Sequence, residues 1–379
     1  MIYPVKYVHS GMQGSPILAG QAGSMIALLD AVLINGFNLL APSSIVVASG
    51  VATVTYSTTH GYAAHDIIKV AGATPAELNG EQRVVSVTSN ALTFATTAVD
   101  GTATGVLETR TAPVGSWEKT YTGTNKAVYR STDVTMTQLY LRVDDTGTNN
   151  ALWQGRETAT DVDTGTGFFP TTAQYASGLF ARKSSMADAT ARPWYLIADA
   201  GLIHFFVNWL AAYPTVSAWY RFGDGINLKP GDAYGCMISA HTAATSSFPG
   251  ASPLTADCNF GGDQLFYARS DTQLGGAVAM RQGGSSACPN FGLGGQPYPS
   301  RVNNGLLLHF PVLINEGGAT APTRGYYPGI LQPIQTAPLA HGNIVEDVPQ
   351  LPGRRVLLLR IDSNGSEGRI AIDITGPWR

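Results

Sequence analysis

The chain has 379 residues, of which 13% are charged and 44% apolar, with a formal net charge of −3. Charge is about half as frequent as the ~25% of ordinary soluble domains, so a lone particle would be poorly protected against association. The surface is expected to be covered by partners, or to be Thr/Ser/Gly-rich and polar without charge. No run of Lys or Arg exceeds two residues, so the basic stripe that a nucleic-acid partner requires is missing. Cys236, Cys258 and Cys288 are an odd count without a CxxC pair, which argues against a disulfide framework and a structural zinc site. Free buried thiols fit best with a reducing compartment, although Cys258 and Cys288 could still pair across a long loop. The first apolar run is broken by Gly20, Gln21 and Gly23, so no secretory signal is expected.

Tyr3–His9 reads as a strand and Gly11–Gly20 as a loop. Ser24 then stands where a helix N-cap belongs. Met25, Ile26, Leu28, Leu29, Val32 and Leu33 form a broad apolar stripe, and Asn35-Gly36 ends it with residues that accept positive φ. This predicts a helix of about 11 residues that buries one face. Residues 1–43 therefore read as a strand and helix packing on the main domain.

Residues 44–110 read as an inserted small β-barrel. Val51–Tyr56, Asp66–Val70, Gln82–Val87 and Ala91–Ala95 are rich in β-formers, and Gly50, Gly61, Gly72, Asn79-Gly80, Ser89-Asn90 and Asp100-Gly101 punctuate them. The spacing of roughly 8–12 residues suits a small antiparallel barrel or sandwich.

Residues 111–379 read as the main β-rich domain. The fold class is thus mainly β: a large β-sandwich-like domain with a short N-terminal helix and an inserted small β-barrel. Strands are expected at Trp117–Tyr121, Lys126–Tyr129, Gln138–Val143, Ala218–Phe222, Tyr234–Ser239, Leu306–Pro311, Val356–Arg360 and Arg369–Asp373. The apolar stretch Trp194–Ala212 contains Asp199, His204 and Asn208, which makes it too polar for a membrane span. It reads as a hairpin turning at Asp199-Ala200-Gly201. Long loops are expected at 241–299 and 315–350. The closing residues 368–379 should be ordered, with Ile370, Ile372 and Ile374 on one face and a Gly376-Pro377 turn placing Trp378 in a pocket.

Candidate chemistry is sparse. Asp161-Val-Asp163-Thr-Gly165 starts like a calcium loop, but position twelve is Thr172 where a glutamate is required. The segment reads as a turn joining strands, with Asp161 and Asp163 as weak metal candidates. His60 and His65 in HGYAAH lack metalloprotease spacing, and His60 reads as a turn residue. Asp144-Asp145 are neighbours on a strand, so their side chains point to opposite faces, and they read as a solvated turn. Ser184-Ser185, Ser285-Ser286 and Cys288 have no nucleophile-elbow context, and Phe291–Gly295 makes no phosphate loop. Six Trp and 16 Tyr could stack on sugars, but such residues more often fill cores. No catalytic residue and no cofactor is expected.

The pattern HGY…DIIKVAGA…LNGEQRVVSVTSNALTF resembles a small β-module common in tailed-bacteriophage structural proteins. His60, Gly61, Tyr62, Asp66, Gly72, Leu78, Asn79, Gly80, Val84, Val87, Thr93 and Phe94 carry the match. The module is also similar in shape to the small β-barrel half-domain of ubiquitin-activating enzymes, which implies no ubiquitin chemistry. The opening VKYVHSGMQGSPILAGQAGSMIALLDAVLINGFN, VDDTGT (143–148), SSMADATARPW (184–194) and the closing GRIAIDITGPWR resemble a phage and prophage virion protein family. The resemblance implies a non-enzymatic structural protein of a tailed-phage virion, assembled in the host cytoplasm. Its place would be the tail tip or baseplate, or the tail-fibre attachment region. Its partners would be copies of itself and other virion proteins, with a host surface glycan as a further candidate and neither nucleic acid nor membrane insertion. Capsid decoration and a host receptor- or glycan-binding module are the alternatives. A depolymerase would call for paired carboxylates in a groove and for solenoid repeats that this chain lacks.

Overall fold

A computed structural model describes residues 3–242, 244, 265–283, 298–309, 312–317, 322–335, 340–346, 348–363 and 366–379. Among the described residues the fold is mainly β, with one short α-helix that runs on as a π-helix and a single 3-10 turn at Ala76–Leu78. The apolar stripe forms the α-helix Ser24–Leu29, continues as a π-helix over Asp30–Asn35 and stops at Gly36. Met25, Leu28, Leu29, Val32 and Leu33 are buried.

The helix cap differs from expectation. The Ser24 hydroxyl donates back to the Ala19 carbonyl at 2.9 Å, and Gly23 holds the N-cap position without a side-chain bond. The helix amides are met instead by Asp145, whose Oδ2 accepts from Met25 N–H at 2.7 Å and Ile26 N–H at 3.3 Å. A carboxylate suits that end, where amides lack intrahelical partners and the dipole is positive. The solvated turn expected at Asp144-Asp145 therefore fails at Asp145. Because neighbours on a strand face opposite ways, one of the pair turns inward. Asp145 is 0% exposed and ion-paired with Lys183, also 0% exposed. The Lys183 ammonium donates further to the carbonyls of Gln21 (2.6 Å) and Gly147 (2.8 Å).

A ten-stranded antiparallel sheet forms the middle layer. Its order is Lys6–His9, Trp194–Ala198, Leu202–Val207, Ala218–Asp224, Cys236–Ser239, Leu265–Tyr267, Val278–Gly283, Leu313–Glu316, Thr323–Tyr326, Ile226–Asn227. The last member continues the fourth beyond Gly225, so the sheet curls until it meets itself. A Cβ at residue 225 would lie 2.7 Å from the Tyr267 hydroxyl and 3.1 Å from Met237 Cε, so the bend favours a glycine.

One face of this sheet carries Leu196, Phe205, Tyr220 and Phe222. It packs on the helix and on Tyr129, Leu141, Trp153 and Phe169 of a six-stranded sheet. That sheet runs Trp117–Gly123, Lys126–Ser131, Tyr140–Asp144, Asn150–Ala159, Gly165–Phe169, with Leu179–Arg182 also paired to Asn150–Ala159. The other face carries Ile197, Phe206, Trp219 and Met237. It packs on Leu357, Leu359, Ile370 and Ile372 of a five-stranded sheet: Leu308–His309, Ile330–Pro333, Ser366–Asp373, Val356–Ser363, Ile344–Val345.

A strand covered on both faces shows no alternation, which is why Trp194–Ala212 reads as one apolar run. The polar side chain of its second strand is met internally. His204 Nε2 bonds the Pro328 carbonyl at 2.9 Å, and Trp219 Nε1 donates to His204 Nδ1 at 3.2 Å. No described helix is long and apolar enough to cross a membrane.

Several strands lie where loops were expected: Leu265–Tyr267 and Val278–Gly283 within 241–299, and Thr323–Tyr326, Ile330–Pro333 and Ile344–Val345 within 315–350. Their residues show no strict alternation of apolar and polar side chains. Asn150–Ala159 was also not anticipated, because Gln154 and Arg156 are buried in it and break the alternation. Cys236 is buried and free. Cys258, Cys288, Ser285-Ser286 and Phe291–Gly295 lie outside the described residues.

The inserted segment forms two sheets. One is Phe37–Leu40, Glu108–Thr111, Ile67–Ala71, Gly80–Arg83, and the other is Ser86–Val87, Ala91–Ala95, Val51–Thr55, Ser44–Ala48, Gly101–Thr102. They enclose their own core of Ile45, Val54, Ile68, Val70, Leu92 and Phe94. The sheet recruits Phe37–Leu40 from ahead of residue 44. The strand expected at Gln82–Val87 splits between the two sheets, with buried Val84 at the corner. His60 is a turn residue, as expected: its Nε2 bonds the Thr88 carbonyl at 2.9 Å and its Nδ1 accepts from Tyr62 N–H at 3.0 Å.

Two stability outcomes follow from the buried groups. Asp145→Asn should destabilise the fold by about 3–5 kcal/mol, because it leaves the Lys183 ammonium buried without its counter-charge. The double change Asp145→Asn with Lys183→Met should recover part of that loss in urea unfolding. Burial pushes the His204 imidazole from 6.5 down to about 3. The unfolded chain therefore takes up this proton first as the pH falls. The native protein should lose about 2–3 kcal/mol relative to His204→Gln between about pH 6.5 and 4.5, read as the difference in unfolding free energy across that range.

Candidate functional site

A cleft of about 1180 Å³ opens where the N-terminal strand, the inserted module, the loop 132–139 and one end of the ten-stranded sheet meet. Five carboxylates line it: Glu81, Asp133, Asp199, Asp224 and Asp232. The Asp199-Ala200-Gly201 hairpin and the bend at Gly225 bring the central ones there.

Four of the carboxylates are tied to distant parts of the chain, and Asp133 is held within its own loop. Asp224 accepts from Thr137 N–H at 2.6 Å and from the Thr137 hydroxyl at 2.5 Å. Burial raises its pKa, and these bonds oppose the rise. Asp199 accepts from Gly201 and Leu202 N–H through Oδ1 (2.8 and 2.7 Å) and from Arg379 Nε through Oδ2 (2.9 Å). Asp232 pairs at 2.5 Å with the buried Arg324, which also holds Glu316 at 2.5 Å. Glu81 pairs with Lys6 at 2.9 Å and so links the module to the body. Burial lowers the Lys6 pKa against the pull of Glu81. Asp133 accepts the Thr135 hydroxyl and N–H at 2.7 and 2.9 Å, which hold its carboxyl below the usual range. Glycoside hydrolysis works through one carboxyl that protonates the leaving group and a second that attacks or activates water. The carboxylates here are bonded to the walls they join.

The residues singled out from the sequence lie elsewhere. Asp161 Oδ1 accepts from Asp163 N–H and Thr164 N–H, both at 2.7 Å. The Asp163 carboxylate is held by Lys126 at 2.9 Å and Arg142 at 2.6 Å. This is the turn between Asn150–Ala159 and Gly165–Phe169, with its charge met by two cations. Among the described residues no three His, Cys, Asp or Glu side chains converge as a metal site. His65 is exposed on the module, 4.0 Å from Glu346. The Ser184 hydroxyl is buried and accepts from Arg192 Nε at 2.9 Å. Trp117, Trp153, Trp194, Trp209 and Trp219 are buried and Trp378 is half-buried. Among the described Phe, Tyr and Trp residues, Tyr213 alone is exposed.

Sequence reasoning missed Thr137, Asp199, Asp224, Asp232 and Arg379 as a group. They share no motif. The one local signal is that Asp199, Asp224 and Asp232 each stand in a turn or strand end next to a glycine or alanine.

No protein-family model matches the chain, and no curated protein matches it. Among solved structures it is similar to the phage phi92 endosialidase, at 9% identity and a TM-score of 0.17, over 89% of this chain and 52% of that chain. The chain thus spans about half the length of that match. Agreement at this level carries no argument about fold or chemistry.

Replacing Thr137 with Val removes one of the two bonds to the buried Asp224 carboxylate. The expected loss is about 1.5–3 kcal/mol, measured by urea unfolding at neutral pH.

Proposed function

We propose that this protein is a non-enzymatic structural component of a tailed-phage virion. It is seated at the tail tip or baseplate or where tail fibres attach, and it acts by packing against copies of itself and neighbouring virion proteins. The resemblance of the module and of the chain's two ends to phage virion proteins supplies the context. The observation that carries the assembly role is the outer face of the module. Strands Ser44–Ala48, Val51–Thr55 and Ala91–Ala95 contain no charged residue. Their inward residues Ile45, Ala52, Val54, Leu92 and Phe94 fill the module core, which leaves Val46, Val51, Thr53, Thr55, Thr93 and Ala95 on the outer side. Val46 and Val51 are 41% and 43% exposed. A sheet face without charge costs less to desolvate than a charged one when a neighbour covers it. The tying of the cleft carboxylates to their own walls supports a framework role in the same way.

Gold-labelled antibody against this protein is expected to decorate the tail end of purified virions. Label spread over the shell would move the reading to capsid decoration, and unlabelled virions would overturn it. Pure protein incubated with host surface polysaccharide or peptidoglycan is expected to release neither reducing ends nor peptides; release would make it an enzyme.

A further inference from the structure

The segment after the last strand has contacts that neither the sheets nor the module require. Asp373 Oδ1 turns it by accepting from Thr375 and Gly376 N–H at 2.8 and 3.2 Å. Trp378 then lies over Gly329 and edge-on to His204, and its indole N–H bonds the Asp373 carbonyl at 2.9 Å. Beyond it, the Arg379 side chain enters the cleft. Its Nε donates to Asp199 Oδ2 at 2.9 Å, one terminal nitrogen to the Asp224 carbonyl at 2.9 Å and the other to the Gly225 carbonyl at 3.3 Å.

We propose that residues 375–379 form a strap whose displaceable part is its tip: the Arg379 guanidinium occupies a seat built by the rest of the fold and, while seated, holds the loop 132–139 against the ten-stranded sheet. Three observations carry this. The seat is fixed independently of the strap, because Asp199 is oriented by Gly201 and Leu202 N–H and the two carbonyls belong to the bend at Gly225. Its oxygens therefore stay in place when the guanidinium leaves. Its three oxygens spread across a planar fork, which a guanidinium fills and an ammonium does not. The loop and the strap also share a floor: a Cβ built on Gly201 would meet Met136 Sδ at 2.3 Å and Arg379 Cζ at 3.2 Å. Met136 thus packs beside the guanidinium, one residue before the Thr137 that bonds Asp224. At 23% exposure the Arg379 side chain is open to competition from solvent.

The test uses the full chain and hydrogen exchange of the loop. In Arg379→Ala, amides of residues 132–139 should exchange at least about tenfold faster, while those of the buried strand Leu202–Val207 keep their native rate. Adding methylguanidinium should restore slow exchange in the loop, and methylammonium at the same concentration should not. Arg379→Lys should behave like Arg379→Ala. Unchanged loop exchange in Arg379→Ala would overturn the strap. Equal rescue by methylammonium, or native exchange in Arg379→Lys, would overturn the guanidinium seat by reducing it to a simple charge contact.

Discussion

The strand that begins at Ala218 does not end at Asp224. It bends at Gly225 and resumes as Ile226–Asn227, paired first in the middle of the ten-stranded sheet and then with its far edge. This bend turns an open sheet into a closed circuit. A side chain at residue 225 would crowd the bend, since a Cβ there would stand 2.7 Å from the Tyr267 hydroxyl and 3.1 Å from Met237 Cε. Closure removes edges that would otherwise offer unpaired amides to other chains. It also brings Asp224 and Asp232 to one end of the sheet, where the cleft lies.

The layering sets the terms for every polar group. The strands Trp194–Ala198 and Leu202–Val207 are covered on both sides, so each polar atom inside must be met by the chain itself. His204 is held between the Pro328 carbonyl and the Trp219 indole, and Asn208 takes the Ser217 hydroxyl. Lys183 and Asp145 lie at another boundary of the same core. Three carbonyl or carboxylate groups surround the ammonium, and two helix amides meet the carboxylate. Charges are rare in this chain, and several of them are internal joints: Lys183 with Asp145 beside the helix, Lys6 with Glu81 between the ten-stranded sheet and the module, and Arg324 with Asp232 and Glu316 within the ten-stranded sheet.

The low charge count thus has two structural counterparts. Inside, ion pairs fasten segments distant in sequence to one another. Outside, strands such as Ser44–Ala48 and Val51–Thr55 present valine and threonine without charge. That division is the one the proposed assembly role calls for.

The β-class, the helix stripe and the turns of the inserted module were legible because they rest on local rules. Residues 25–33 show helical spacing, Asn79-Gly80 and Asp100-Gly101 mark turns, and the Ile370, Ile372, Ile374 alternation marks a strand, whose opposite face is also buried through Ala371. What stayed hidden depends on contacts distant in sequence. Asn150–Ala159 escaped notice because Gln154 and Arg156 are buried in it, so its pattern carries no period. Asp145 reads as a turn residue until Met25 and Lys183, more than thirty residues away on either side, are brought to it. The cleft carboxylates share no motif, since Thr137, Asp199, Asp224 and Arg379 meet only after the sheet has curled. The sequence by itself determined which segments extend, which turn and which one coils, because backbone preference and side-chain periodicity are local. Only the tertiary structure decided which charges are buried, which face of the module is left open and where the cleft forms, because burial and pairing follow from how the layers close on one another.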